Sequence, residues 1–300
     1  MATLKDIRAR IGSVKNVQKI TRAMEMVAAA RLRRAEQRIE HLRPYASAIR
    51  RMTRQAAEAA GNIPRLPILH QHEREENIGL LLVTGDRGLA GAFNSQILRA
   101  GLRAAAGHQH EGRSVKWYAS GRRGVSSLTF RGLDLRGSYV GFTDRPAYAN
   151  AREIGEDLMA AYTDGELDRV EIFYNGYVSP LTQEVRHETL LPLQEASILE
   201  EAEGDAEDGD QPAHSALVEY EPDPEEILRR LVTDFVEISV YRALLESTAS
   251  EHGARMTAMR NASENAGDLI ETLTLQANRA RQAEITQEIM EVVAGAEALG

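Results

Sequence analysis

Near its start the chain repeats apolar residues at Leu4, Ile7, Ile11, Val14, Val17, Ile20, Met24 and Val27, in steps of three and four. That spacing lines one stripe of a helix and predicts an amphipathic α-helix. The stripe runs on through Leu32, Ala35, Ile39 and Leu42 to Pro44, a residue that kinks or ends a helix. A second helical run opens at Pro222-Asp223-Pro224, with proline suited to a first helical turn. Its apolar positions include Ile227, Leu231, Phe235, Ile238, Leu245, Met256, Met259, Leu269, Leu273, Ile285, Ile289 and Val292, with Gly253, Gly267 and Gly295 inside the run. At 1.5 Å per residue, some 70 helical residues would span roughly 105 Å. A helix of that length cannot hide its apolar stripe on a compact core and needs a partner along it. The other end of the same chain is the nearest partner, which predicts an antiparallel coiled coil of the two ends.

The middle of the chain follows another pattern. Ile78–Thr84 is a short apolar run before a glycine-rich turn, as for a buried strand. Helices are predicted over 94–106 and 145–162, and strands over 115–120, 138–142 and 170–174, with extended character from Val178 to Leu193. Strands alternating with helices imply a layered α/β sheet, here a Rossmann-like central domain. Residues 195–223 are rich in Glu, Asp, Gly and Pro and read as a solvated acidic loop. The predicted organisation is a coiled-coil helix over 1–58, an α/β domain over 76–194, the acidic loop over 195–223 and a second coiled-coil helix over 224–300.

Composition changes this picture in three ways. The chain lacks cysteine, which excludes disulfides, thiolate metal sites and cysteine nucleophiles. No stretch approaches 18 consecutive apolar residues, so no membrane-spanning helix is expected. The net charge of −9 conceals an asymmetry: residues 1–60 hold 14 Lys/Arg against 5 Asp/Glu, whereas residues 195–226 hold 13 Asp/Glu and no Lys/Arg. A cationic rod suits an anionic partner. Nucleic acid is not expected, because aromatic stacking residues and base-reading motifs are missing. The cluster Arg31, Arg33, Arg34 and Arg38 instead favours an acidic protein partner.

Candidate chemistry is sparse. Gly85-Asp-Arg-Gly-Leu-Ala-Gly91 follows a strand and precedes a helix, where phosphate-binding loops sit. Its G-x-x-G-x-x-G spacing matches neither the dinucleotide fingerprint nor the P-loop, so a tight turn with Asp86 and Arg87 in structural contacts is the better reading. His70-Gln-His72 and His108-Gln-His110 each place two imidazoles two residues apart, a spacing that could hold a metal on a strand. Both lie in polar connectors without an evident carboxylate companion, so they read as solvated loop histidines. No catalytic triad order, H-E-x-x-H or glycine-flanked serine occurs. Neither a catalytic residue nor a cofactor is expected.

Three stretches carry a family resemblance. Lys19–Ala35 (KITRAMEMVAAARLRRA) with Arg43-Pro-Tyr45, Thr84–Ser95 (TGDRGLAGAFNS), and Met256–Ala266 with Asn278–Ala296 resemble the gamma subunit of F-type ATP synthases. The pattern I-T-x-E-x-x-E-x-x-x-G-A from Ile285 to Ala296 is the most specific of these. The resemblance implies a non-catalytic rotor shaft that carries torque, regulates ATPase activity and is driven by ion flow. Its partners would be the alpha and beta subunits of the catalytic ring, the epsilon subunit and the membrane c-ring, at the cytoplasmic face of a bacterial inner membrane. It further implies that Met24, Arg255, Arg281, Gln282 and Thr286 contact the beta subunits. Ala277 stands where that family commonly has tyrosine, and the acidic loop is longer than in its simplest bacterial members. A nucleotide-binding α/β enzyme and a structural coiled-coil scaffold are the alternative readings.

Overall fold

The computed structural model describes residues 3–59, 67–193 and 224–297. The predicted acidic loop, 195–223, lies outside the described residues. Two long helices bracket the sequence, α1 (Leu4–Ala59) and the last helix, Pro224–Glu297. α1 starts where a reciprocal cap fixes it. The Thr3 backbone N–H donates to Asp6 Oδ2 at 3.1 Å, and the Asp6 N–H donates to Thr3 Oγ1 at 3.3 Å. Two otherwise orphaned N–H groups of the first turn are thereby satisfied.

Pro44 does not end α1, which continues for a further 15 residues to Ala59. Proline removes one helical N–H and crowds the preceding turn, a cost of about 3 kcal/mol. Pro44 itself is exposed, while Ala46, Ile49 and Thr53 just beyond it are buried. Packing of those residues into the core offsets the lost hydrogen bond.

Between the helices lies a five-stranded sheet. In chain order the elements are a short 3-10 helix (Pro67–Leu69), β1 (Asn77–Val83), α2 (Phe93–His110), β2 (Ser114–Ser120), α3 (Arg122–Phe130), β3 (Leu135–Tyr139), α4 (Tyr148–Thr163), β4 (Arg169–Tyr177) and β5 (Gln183–Leu191); the C-terminal helix is α5. The strand order is β3-β2-β1-β4-β5. β1 to β4 pair in parallel, and β5 returns antiparallel to β4. This is the doubly wound order, with the switch point between β1 and β4.

Two differences from the sequence reading have local causes. The third strand is Leu135–Tyr139 rather than 138–142, because Tyr139 already pairs with Ser120, the last residue of β2, and the earlier residues pair back to Trp117. α3 lies outside the sequence expectation: it has nine residues with only Val125, Leu128 and Phe130 as large apolar side chains, and a glycine turn sets it up. Gly121 has φ +91°, and a Cβ there would lie 2.1 Å from the Thr84 carbonyl oxygen. Only glycine permits that approach.

Both faces of the sheet are covered. Ile78, Leu80, Leu82, Trp117, Ala119 and Phe173 pack on one side with Ile97 and Ala105 of α2 and Leu128 of α3. Leu81, Val83, Ile172 and Tyr174 pack on the other with α4, with Ala46 and Ile49 of α1, and with Leu228–Leu244 of α5. α2 sits so close to β1 that a Cβ on Gly101 would fall 2.4 Å from Leu82 Cδ2.

Compactness divides the chain inside the long helices rather than at their ends. One unit comprises Met1–Ala30 and Arg255–Gly300, and the other comprises Arg31–Ala254 with the whole sheet.

Candidate functional site

In the first unit, α1 and α5 run antiparallel. Gln18 Nε2 donates to the Ser263 carbonyl at 3.3 Å, and Arg260 Nε donates to Glu25 Oε1 at 2.9 Å. Beside Met24 and Ala29, the covered positions of α1 are Leu4, Ile7, Ile11, Val14, Gln18, Thr21, Glu25 and Ala28. They step by three and four without a break, the spacing of a heptad seam. From α5 the seam receives Met259, Ala266, Leu273 and Ala277, with Ser263 and Ile270 partly covered.

This corrects the sequence reading of the α1 stripe. Val17, Ile20 and Val27 lie outside the seam, at 52%, 59% and 53% exposure. Polar Gln18, Thr21 and Glu25 take the inner positions instead. Over this stretch the polar Gln18, Thr21 and Glu25 share the inner face of α1 with Met24 and Ala28, while Val17, Ile20 and Val27 face outward. On α5 every side chain from Arg281 to Ala294 is exposed, including Ile285, Ile289, Met290 and Val292. Apolar surface of this extent on a helical rod marks a partner surface rather than a core.

The residues expected to touch a partner fall into three places. Met24 is partly buried, next to the Glu25–Arg260 ion pair. Arg255 is only 8% exposed. Arg281, Gln282 and Thr286 lie together on the open part of α5, about 39 Å further along the helix at 1.5 Å per residue. The Thr286 hydroxyl donates to the Gln282 carbonyl at 2.8 Å, so it is already engaged with its own helix.

In the second unit, the glycine-rich turn after β1 is held by protein groups. Gly85 N–H donates to Asn94 Oδ1 at 2.9 Å and Asp86 N–H to Thr143 Oγ1 at 2.8 Å. The Asp86 carboxylate accepts from the N–H groups of Arg122 (2.9 Å), Gly141 (2.9 Å) and Thr143 (3.2 Å), and from the Thr143 hydroxyl (3.0 Å). Burial pushes its pKa up, but those hydrogen bonds more than offset it and leave the carboxyl below its ordinary range. Arg87 pairs with Asp144 at 3.3 Å. Over Gly85 lies the buried carboxyl group of Glu251, 2.7 Å from where a Cβ would sit. In a phosphate-binding turn the amides face an anion. Here the Gly85 and Asp86 amides are occupied and the carboxyl group of Glu251 lies over Gly85.

The histidines are not solvated loop residues throughout. His72 Nδ1 lies 2.8 Å from Asp168 Oδ1, with its ring stacked on Tyr162 at 4.6 Å. His108, on the last turn of α2, lies 3.2 Å from Glu171 Oε2, and His187 of β5 lies 2.8 Å from the same oxygen. The carboxylate companions are Asp168, just before β4, and Glu171 within it, far from His72 and His108 in sequence, so spacing alone could not reveal them. His70 and His110 are exposed, as expected. No group of three or more histidine or acidic side chains among the described residues could hold a metal. In the arginine cluster, Arg31 pairs with Asp144 at 2.8 Å, while Arg33 and Arg34 are exposed.

No described helix is long and apolar enough to cross a membrane. A family model described as ATP synthase matches residues 3–299. The ATP synthase gamma chain of Rubrobacter xylanophilus is 44% identical over 299 residues, spanning 100% of this chain and 99% of that one. Among solved structures, the central stalk of the Tetrahymena thermophila mitochondrial ATP synthase matches with a TM-score of 0.61 at 27% identity, covering 81% of this chain and 99% of that chain. A chain from the Euglena gracilis mitochondrial ATP synthase shares the fold, with a TM-score of 0.68 at 18% identity, over 99% of this chain and 94% of that chain.

Proposed function

This chain belongs to the ATP synthase gamma-chain family, and on that premise we propose that it is the central shaft of the rotary assembly, a subunit that turns without making or breaking bonds itself. It carries torque between ion flow through a membrane ring and ATP synthesis or hydrolysis at the beta subunits. The alpha and beta subunits form the sleeve, while the epsilon subunit and the c-ring engage the sheet-bearing unit. The complex sits at the membrane, here the cytoplasmic face of a bacterial inner membrane.

The observation that carries this reading is the outward apolar face of the helical pair. Its seam holds Gln18, Thr21 and Glu25, while Val17, Ile20, Val27 and the side chains from Arg281 to Ala294 face outward. A self-sufficient coiled coil would place its apolar residues the other way round. An outward apolar face suits a bearing inside a sleeve, where few directional bonds must break as the rod turns. A coiled-coil scaffold is disfavoured on the same ground, and a nucleotide-binding enzyme by the occupied turn at Gly85–Gly91.

Met24, Arg255, Arg281, Gln282 and Thr286 are the proposed contacts with the beta subunits, Arg255 presenting the least surface. Charge reversal at Arg281, an exposed residue, tests the reading. Arg281→Glu should leave the helical content of the chain unchanged and lower coupled ATP synthesis roughly fivefold, since charge-assisted contacts carry 1–2 kcal/mol. Wild-type synthesis rates in a folded Arg281→Glu assembly count against the contact. The acidic stretch 195–223 is assigned a part in restraining hydrolysis, on its charge alone. Deleting 200–210 should alter ATPase activity or its inhibition by epsilon; if both stay the same, that assignment is lost.

A further inference from the structure

Within the sheet-bearing unit α5 is held by two kinds of contact. As far as Leu244 its buried apolar side chains, among them Leu231, Val236 and Val240, pack into the core on one side of the sheet. Apolar packing is non-directional, so a helix seated in it alone resists turning about its own axis only weakly. A hydrogen bond behaves differently, because it weakens steeply once donor and acceptor swing out of line. Between Glu237 and Ser250 the helix carries a set of such bonds to the sheet and to α4.

The sheet reaches one face of α5. Arg242 Nη2 donates to Glu188 Oε2 of β5 at 2.7 Å, and Arg186 Nη1 of β5 donates to Glu246 Oε2 at 2.9 Å. One turn further on, the Ser250 hydroxyl donates to the Asn175 carbonyl of β4 at 3.0 Å. Arg186 crosses to α5 over Gly176 of β4, where a Cβ would fall 2.3 Å from the guanidinium Nε. The other face of α5 is held from α4 and the segment before it. Tyr148 OH donates to Glu237 Oε2 at 2.7 Å. The Thr248 hydroxyl, shared with the Leu244 carbonyl of its own helix, lies 2.9 Å from the Thr143 carbonyl. Glu237, Glu246, Thr248 and Ser250 are all buried. At 3.6 residues per turn Glu237 and Thr248 share one side of the helix, while Arg242, Glu246 and Ser250 lie roughly 140–220° round from it. The grip is two-sided.

We infer that this grip is the torque joint of the chain, where a turning force on the sheet passes through Tyr148 and Arg186 into α5 and the helix cannot spin in its apolar socket. The inference rests on the shaft reading and adds to it the residues that make the sheet and this part of α5 turn together. Tyr148 and Arg186 are positioning residues, since they act through the helix they hold.

The complete ATP synthase in sealed vesicles tests the joint. The readout is the steepest ion gradient that ATP hydrolysis sustains, because that gradient measures the torque the joint carries. Tyr148→Phe with Arg186→Gln removes one bond from each face of α5. This assembly should hydrolyse ATP at the wild-type rate when an ionophore collapses the gradient. Without the ionophore it should sustain a gradient about twofold lower, through the loss of two charge-assisted bonds. Glu171→Gln is the control: Glu171 bonds to α2 and β5 rather than to α5, so the variant loses stability and should keep the wild-type gradient. Where the first variant fails to assemble, Thr248→Val with Ser250→Ala again takes one bond from each face, with little change of shape, and is read in the same way. A wild-type gradient in an assembled variant overturns the joint and leaves the shaft reading standing, as does an equal fall with Glu171→Gln. A wild-type assembly that hydrolyses ATP without building any gradient removes the shaft reading and the joint together.

Discussion

Glu171 of β4 shows how much of this protein's chemistry is structural. Its side chain is 5% exposed and is shared by His108, 63 positions earlier, and His187, 16 positions later. A buried carboxylate needs such partners, because its desolvation is otherwise uncompensated. Burial pushes its pKa up, but the hydrogen bonds from His187 and His108 pull it further down, below the ordinary 4.5. The folded chain therefore gives up this proton more readily than the unfolded chain. The resulting stability is present above the unfolded pKa of about 4.5 and is lost as pH falls through the folded value. Glu171→Gln should cost about 2 kcal/mol at pH 7, as for a buried hydrogen-bonded charge. The gap from wild type, measured by denaturant unfolding, should shrink as pH drops below about 4.5. A gap that stays constant down to pH 3 contradicts the assignment. The histidines were visible in the sequence as pairs, His70/His72 and His108/His110, but their true partners were not. Only the sheet brings β4 acids under α2 and β5, and no sequence spacing encodes that.

At the scale of elements, long-period signals were legible and short ones were not. β1, β2 and β4 are buried on both faces and read as apolar runs, so their places were clear. α3 has nine residues and three large apolar side chains, too short a run for its period to stand out. The α1 stripe carried a warning in its own arithmetic. From Ile11 the apolar residues advance by three, three and three to Ile20, and from Val27 they jump by five to Leu32. A seam cannot do this, since steps must alternate three and four to stay on one face. Val17, Ile20 and Val27 leave the seam while Met24 and Ala28 stay covered, and those three residues form the outward patch. Replacing Val17, Ile20 and Val27 together with glutamine should change the chain's own unfolding by less than about 0.5 kcal/mol per site, as for exposed positions. The same triple variant should co-purify poorly with the alpha and beta subunits. Marked destabilisation of the isolated chain would return those residues to the seam and remove the bearing.

For the molecule as a whole, the two long ends and the α/β middle were readable because each rests on repetition. Proline at 44 was misleading for the opposite reason: a single local cost of about 3 kcal/mol is small beside the core that α1 enters beyond it. Partner residues were legible only through family resemblance, since exposed arginine, glutamine and threonine on a helix carry no chemistry of their own. What the structure adds is the physical reason for a partner, an apolar outer face beside a seam that is partly polar. The absence of cysteine makes the decisive measurement clean, because one introduced thiol is unique. Asp134→Cys, at an exposed position before β3, can carry a gold particle on a chain assembled with alpha and beta subunits fixed to a surface. The account predicts that ATP drives the particle round in one direction, in discrete steps that stop when ATP is withdrawn. An assembly that hydrolyses ATP while the particle only fluctuates, without net rotation, would contradict it.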